Sequence, residues 1–209
     1  MYKDLRSYSP HFHDQQDYVT STTVLLANTY TLGGDWSTAS DIRMKMNQSG
    51  MKKMAGLSWT VVDGKIVKFR AHGRSHPRSE EIYAELERLT NGLIEHGYKC
   101  DTCWITRPMM NDETRESVLS GHSERLAIAF NLIQQPVPSC IQILKNLRVC
   151  GDWRKLFSFD LLENFHCDLL VDTFIKLIAR IHQCLIIVRD TNRTHHFHPN
   201  GQCPCRDYF

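Results

Sequence analysis

The sequence of 209 residues lacks both a long apolar run and a marked excess of charge of either sign. No stretch reaches the about 20 apolar residues that a membrane-spanning helix needs. The formal net charge is only +2, so there is no broad basic field of the kind that marks many nucleic-acid-binding proteins. These absences argue against a membrane protein and against a protein that holds nucleic acid by bulk charge alone.

Targeting signals are also missing from the start of this sequence. Met1–Arg6 carries no apolar core of a secretory signal. The stretch is not the Arg- and Ser-rich, acid-poor kind of an organellar transit peptide either, because Asp4, Asp14 and Asp17 come early. We therefore expect no export and no transit peptide in this chain.

The composition stands out in its eleven histidines and eight cysteines. Without export, thiols are expected to stay reduced. This number of Cys and His side chains therefore favours metal binding over disulfide bonds.

Helical periodicity predicts a helical hairpin near the start, after a polar leader over residues 1–20. One helix begins at Val24, a Gly33-Gly34 break follows, and a second helix covers residues 36–49. Such a hairpin is the unit of a helical repeat, and one unit cannot bury its apolar face alone. We therefore expect neighbouring repeats that this chain lacks, as in a fragment or in a partner of a separate repeat protein.

The remainder alternates between strands and helices, which predicts an α/β layered fold. Asp63-Gly64 separates two β-rich runs and indicates a β-hairpin over residues 57–71. The other predicted elements are a helix over 75–96, a helix over 122–134, a strand over 141–147, a helical segment up to 180, a buried strand over 185–188 and an irregular tail over 190–209.

His122, Ser123 and Glu124 form the first candidate site, with Cys150 following later. Zinc deaminases bind zinc through the His of a His-x-Glu motif and two Cys of a later Cys-x-x-Cys motif. These three ligands leave a fourth position for a water, which the metal makes acidic. The Glu does not bind the metal but moves protons. An exposed acid in the first turn of a helix gives the same tripeptide, so the motif by itself is weak.

The tail holds the second candidate site, made of His195, His196, Cys203 and Cys205. Two imidazoles and two thiolates can complete a tetrahedral zinc site. The alternative is a disordered tail with scattered ligand residues.

Several segments, in order, resemble signatures of the DYW deaminase family. Residues 121–130 read GHSERLAIAF and residues 145–152 read KNLRVCGD. The end carries IVRD from residue 187, RTHHF from residue 193 and GQCPCRDYF from residue 201. Upstream, the segments that resemble the E modules and the lead into this domain are VLLANTY over 24–30, Trp36, GMKK over 50–53, GLSW over 56–59 and GRSHP over 73–77.

This resemblance implies a cytidine-deaminase-like layered α/β fold over residues 73–209. An E-type helical-repeat hairpin and the β-hairpin would precede it, over residues 21–72. Family members end pentatricopeptide-repeat proteins of plant mitochondria and chloroplasts, whose repeats read RNA one base at a time, and they convert cytidine to uridine. The implied partners are organellar single-stranded RNA, bound through repeats absent from this chain, and other RNA-editing factors, with no membrane.

The resemblance also implies two Zn²⁺ ions. By position, His122 and Cys150 would bind the catalytic zinc and Glu124 would be the proton carrier. His195 or His196, with Cys203 and Cys205, would hold a second, structural zinc.

The chain departs from the family directly after Cys150. The family has a second Cys and then a His where this sequence has Trp153 and Arg154. The segment TFIKLI, from Thr173, resembles what normally follows that Cys-His pair, so residues 153–172 resemble an insertion. We expect a retained intron or a wrongly assigned gene boundary; a genuine insertion would have to fold back for Cys167 to serve as the third ligand.

The missing thiolate leaves two functions open. With Trp153 in the ligand position, we expect a catalytic site without deaminase activity. The alternative function is a non-catalytic, zinc-stabilised module that assists other RNA-editing factors. Zinc stoichiometry separates an intact enzyme from such a module.

Overall fold

The computed structural model describes residues 15–51, 54–95, 121–147, 170–191 and 193–204. These residues form helices and a mixed five-stranded sheet, which confirms the predicted α/β class. The described elements, in chain order, are α1 Gln15–Leu32, α2 Trp36–Gln48, β1 Leu57–Val62, β2 Lys65–Arg70, α3 Ser79–Glu95, α4 Ser123–Leu132, β3 Cys140–Lys145, α5 Leu170–Ile181, β4 Leu185–Arg189 and β5 Thr194–Phe197.

Helices α1 and α2 pack against each other. The Asp35 side chain caps α2 by accepting a hydrogen bond of 3.0 Å from the backbone N–H of Thr38. Arg43 of α2 donates to Asn28 at 3.2 Å and to Thr31 at 3.0 Å on α1. The two predicted helices are therefore present as a pair, while their role as a helical-repeat unit stays a prediction.

Helix α1 begins at Gln15, inside the stretch that the sequence marks as a polar leader. The part of α1 that the sequence did not predict, residues 15–23, is mostly polar and therefore has no helical periodicity of apolar residues. Thr23, Thr29 and Thr31 donate their hydroxyls to backbone carbonyls four residues earlier, at 2.8, 3.1 and 3.0 Å. A helix can therefore hold these polar side chains without an apolar face to mark it.

The sheet has the strand order β2-β1-β3-β4-β5. All neighbouring pairs are antiparallel except β3 and β4, which are parallel. Asp63 and Gly64 have φ angles of 51° and 71°, the left-handed conformations that a tight hairpin turn requires. The β-hairpin predicted from Asp-Gly is confirmed. The parallel pair needs a crossover connection, and α5 lies in it.

The prediction of an irregular tail is wrong for Thr194–Phe197, which forms β5. This strand pairs with β4, placing His195 opposite Val188 and Phe197 opposite Ile186. Four residues carry too short an alternation to be recognised alone. The partner strand supplies the hydrogen bonds that order them.

The main core lies between the sheet and α4, α5 and the outer helix α3. Every residue of α4 is buried, since α4 contacts β1, β2 and β3 on one side and α3 on the other. The largest fully buried side chains are Phe174, Phe197, Ile82, Leu86, Leu93, Leu126, Ile128, Ile141, Ile143, Ile175, Ile178 and Ile186. The N-terminus of α4 is thereby held rigidly against the sheet. None of the helices in the described part of the chain is both long and apolar enough to cross a bilayer.

Gly121, directly before α4, lies under the ring of His72. A Cβ at this position would be 2.6 Å from Cε1 of His72 and closer still to Nδ1. The backbone N–H of His72 also donates to the Gly121 carbonyl at 2.7 Å, which keeps the two segments together. Only a residue without a side chain fits between them.

We therefore expect Gly121→Ala to destabilise the fold by about 1–3 kcal/mol, because the His72 ring must move or the backbone must shift. Gly92→Ala is the matched control: Gly92 lies in α3, and a Cβ there meets nothing within 4 Å. That change should stabilise by about 0.5–1 kcal/mol through helix propensity. Urea unfolding of both variants measures the difference, and equal stability of Gly121→Ala and the parent chain would contradict the close contact.

Candidate active site

Glu124 lies in the first turn of α4 and is fully buried. His122 occupies the N-cap position of the same helix, with its side chain 24% exposed. Nδ1 of His122 lies 3.3 Å from Oε1 of Glu124. Glu124 is thus not an exposed first-turn acid, and the imidazole and carboxylate of the predicted motif meet at one point.

Lys145, the last residue of β3, forms an ion pair with Glu124. Its Nζ contacts Oε2 of the carboxylate, and the two side chains are 5% and 0% exposed. Sequence reasoning missed this role, since Lys145 appeared only as part of a family segment. A lysine that ends an otherwise apolar strand was the available signal, because such a side chain is rarely buried without a partner.

The electrostatics keep Glu124 ionised. Burial by itself would raise the pKa of Glu124, but the ammonium of Lys145 and the neighbouring His122 outweigh burial and hold this pKa well below its usual range. The site therefore holds a carboxylate able to accept protons or donated hydrogen bonds.

Buried hydroxyl and amide groups fix α4 against the sheet. Ser123 of α4 and Ser58 of β1 share a hydrogen bond of 2.9 Å. About two turns further along the helix, Asn131 donates to Thr60 at 2.9 Å, and Thr60 donates to the carbonyl of Gln142 in β3 at 2.8 Å. These bonds join α4, β1 and β3 on the face where Glu124 and Lys145 meet.

Two further contacts anchor the surroundings of the pair. Asn146 accepts from the backbone N–H of Leu57 at 2.7 Å and donates to the carbonyl of Ala55 at 2.9 Å, which fixes the end of β3. The guanidinium of Arg125 lies 4.2 Å from the centre of the Phe174 ring, so α4 is tied to α5 by a cation–π contact.

The predicted catalytic zinc set lies largely outside the described residues. Of its predicted members, His122 lies within the described residues, while Cys150, Trp153 and the alternative ligand Cys167 lie outside them. Across residues 15–51, 54–95, 121–147, 170–191 and 193–204, no group of three or more His, Cys, Asp or Glu could hold a metal ion. An indole offers no lone pair to zinc, so with Trp153 in the ligand position the predicted set has two ligands where catalytic sites use three. Cys167 stays the alternative third ligand, and the catalytic zinc site stays a prediction.

The second predicted zinc site is divided between the two faces of β5. His195 is 1% exposed on the helix-covered face, with Nε2 3.8 Å from Oδ2 of Asp190. His196 is exposed on the opposite face. Cys203 packs against the core on the side of His195, and Cys205 lies outside the described residues. Strand alternation favours His195 over His196 as a companion for Cys203, and the zinc site stays a prediction.

The low pKa of Glu124 predicts acid-sensitive stability. A carboxyl whose pKa is lower in the folded than in the unfolded chain stabilises the fold above its unfolded pKa of about 4.3, and this contribution is lost as the pH falls through the folded value. Glu124→Gln removes it and leaves the Lys145 ammonium without its countercharge, so we expect a loss of about 3–5 kcal/mol at pH 7 and a flatter profile below pH 4.5.

Urea unfolding from about pH 7 to pH 3, with a chelator present, measures this profile. Glu81→Gln is the control, because Glu81 also forms an ion pair, with Arg78, but its side chain is 57% exposed. It should leave stability at pH 7 nearly unchanged. A Glu124→Gln variant as stable as the parent at pH 7 would contradict the buried ion pair.

Two protein-family models match the sequence of this chain. The family model described as the DYW family of nucleic acid deaminases matches residues 97–209, and the model of the E motif matches residues 15–61.

Similar proteins from Arabidopsis thaliana are much longer than this chain. A pentatricopeptide repeat-containing protein is 44% identical over 186 residues, which is 89% of this chain and 19% of that protein. A chloroplastic one is 40% identical over 88% of this chain and 17% of its own length. A mitochondrial one is 39% identical over 89% of this chain and 26% of its own length. The chain thus spans about a fifth of the length of the relatives it matches.

Proposed function

Because the chain belongs to the DYW family of nucleic acid deaminases, we propose that it is a zinc-binding domain of the type used for C-to-U editing of organellar RNA, with a catalytic site disabled by the loss of the second Cys ligand. The observation that carries this proposal is the fully buried Glu124 beside His122 at the N-terminus of α4. Zinc deaminases place a His-x-Glu motif at such a helix start, where the Glu exchanges protons with the base.

The relatives support the substrate and the setting of this proposal. They are pentatricopeptide repeat-containing proteins, and some carry a chloroplastic or mitochondrial designation. Helical repeats of this kind read single-stranded RNA base by base. The target RNA would therefore be selected by repeats outside this chain, and the α1–α2 pair would adjoin them.

The roles of the residues follow from their contacts. Ionised and shielded from water, Glu124 would take up a proton and pass it to the ring nitrogen of cytosine. His122 and Cys150 would hold the metal, which in zinc deaminases supplies an activated water. With Trp153 in place of the second thiolate, two protein ligands hold zinc more weakly than three.

Trp153 favours a second candidate function, a non-catalytic module that binds other editing factors. In this case the second zinc would be held by His195, Cys203 and Cys205, which the sequence retains. Arg154 stands where the resemblance implies a His that helps to hold this zinc. The deaminase scaffold would then serve as a binding platform.

Zinc stoichiometry separates the two functions. We expect one zinc ion per purified chain, lost in Cys203→Ser and retained in Cys140→Ser, since Cys140 belongs to neither candidate site. Elemental analysis after removal of loosely bound metal gives the count. Two ions per chain would contradict the incomplete catalytic set.

Activity provides the corresponding functional prediction. We expect no conversion of cytidine to uridine above background when the chain, fused to a pentatricopeptide-repeat array that binds a known RNA, is incubated with zinc and that RNA carrying a cytidine. Sequencing of the RNA detects conversion. If conversion occurs, a third ligand must be present, and its loss in Cys167→Ser with retention in Cys140→Ser would identify that ligand as Cys167.

A further inference from the structure

The two carboxylate oxygens of Glu124 have different partners. Oε2 contacts the ammonium of Lys145 and accepts a hydrogen bond of 3.5 Å from the Ser123 hydroxyl, and Oε1 lies 3.3 Å from Nδ1 of His122. A carboxylate held at one oxygen by a cation keeps the orientation of the other oxygen. Oε2 is therefore the anchored oxygen, and Oε1 lies on the side of the partly exposed His122 imidazole.

Lys145 is itself fixed by the strand that carries it. Its Cα is paired with Ser58 of β1, and its side chain shares the helix-facing side of β3 with the buried Ile141 and Ile143. Asn146 holds the end of this strand through two hydrogen bonds to the residues around β1. The ammonium therefore cannot follow a carboxylate that turns away.

We propose that Lys145 is a positioning residue for the deaminase-type site: it clamps Oε2 of Glu124, so that Oε1 faces the His122 side where a nucleobase binds. This inference rests on the proposed function. It extends that function, because neither the sequence motif nor the zinc ligands account for a buried lysine against the acid.

A simpler role would be that of a structural ion pair. Replacing a buried pair by apolar groups is often neutral, whereas removing one partner leaves an uncompensated charge. Stability of the fold therefore does not require an ion pair at this position. The ion pair does orient one carboxylate oxygen more strongly than the long hydrogen bond from Ser123 could by itself.

The orientation has a measurable consequence for base recognition. Position 4 of cytosine carries an amino group, a donor, whereas position 4 of uracil carries a carbonyl, an acceptor. A fixed, ionised oxygen accepts from the first and repels the second. We expect the chain to bind cytidine over uridine by about tenfold, the equivalent of one hydrogen bond to a charged group.

The first measurement is a double-mutant cycle on the metal-free full chain, followed by thermal unfolding. Lys145→Met and Glu124→Gln should each lower the unfolding midpoint. The midpoint of the double variant K145M/E124Q should fall by much less than the sum of these two losses. Additive losses would show that the two side chains are not coupled and would overturn the proposal. If K145M does not fold, folding of the double variant shows the coupling. A double variant that also fails to fold would assign Lys145 to packing and overturn the proposal.

The second measurement is binding of two fluorescent oligoadenylates, one with a single central cytidine and one with a central uridine, by anisotropy. K145M should lose the preference for cytidine while keeping the parent affinity for the uridine RNA. K145R, which retains the cation, should keep most of the preference. A purely structural lysine would not change the ratio of the two dissociation constants, so an unchanged ratio in folded K145M overturns the proposal. Where K145M does not fold, the ratio of the two dissociation constants is measured in the double variant. A ratio equal to that of the parent chain would overturn the proposal there too.

The two proposals fail in different ways. A parent chain that binds both RNAs equally would refute cytidine recognition, and with it the positioning role, while coupling in the cycle would then mark the pair as part of the fold alone. If the parent chain and K145M prefer the cytidine RNA equally, the proposed function stands and Lys145 has no positioning role.

Discussion

The buried negative charge of Glu124 is the constraint on which the rest of the site depends. A carboxylate removed from water is costly unless a cation and hydrogen-bond donors compensate it. In this chain Lys145 supplies the cation from the end of β3, and His122 lies against the other oxygen. The sheet must therefore bring β3 under the start of α4, and this arrangement sets the position of every other group near the acid.

The packing of α4 meets that requirement through polar contacts rather than through apolar burial alone. The Ser58–Ser123 bond and the Asn131–Thr60 bond lie between the helix and β1. Each satisfies a buried polar group that would otherwise be destabilising, and each has a defined direction. Directional bonds of this kind set the register and rotation of the helix more narrowly than apolar contacts do, which suits a site that needs one carboxylate orientation.

Membership of a deaminase family and the residues of this particular chain point in different directions at Trp153. The acid, its cation and the first imidazole are present, whereas the second thiolate is not. Metal affinity depends steeply on the number and type of ligands, while the ion pair between Glu124 and Lys145 is independent of metal. The ion pair can therefore hold the carboxylate in place whether or not a metal is bound.

Local patterns were sufficient for part of this molecule. Asp63-Gly64 predicted the β-hairpin, because its left-handed turn is a property of two adjacent residues. The motif at His122 predicted the start of α4, since a helix start is set by adjacent residues. The start of α1 and the strand β5 were not predicted, because the mostly polar residues 15–23 and a four-residue strand carry little periodicity.

Tertiary structure alone decided the features that join distant positions. Lys145 lies 21 residues from Glu124, and no local pattern states which strand passes beneath the helix. In the same way, the pairing of β5 with β4 determines that His195 faces the core and His196 does not. The sequence by itself determined which chemical groups this protein has and the local turns and helix starts that carry them. Their partners were decided by long-range packing, since burial of one charge acts through space and leaves no spacing rule along the chain.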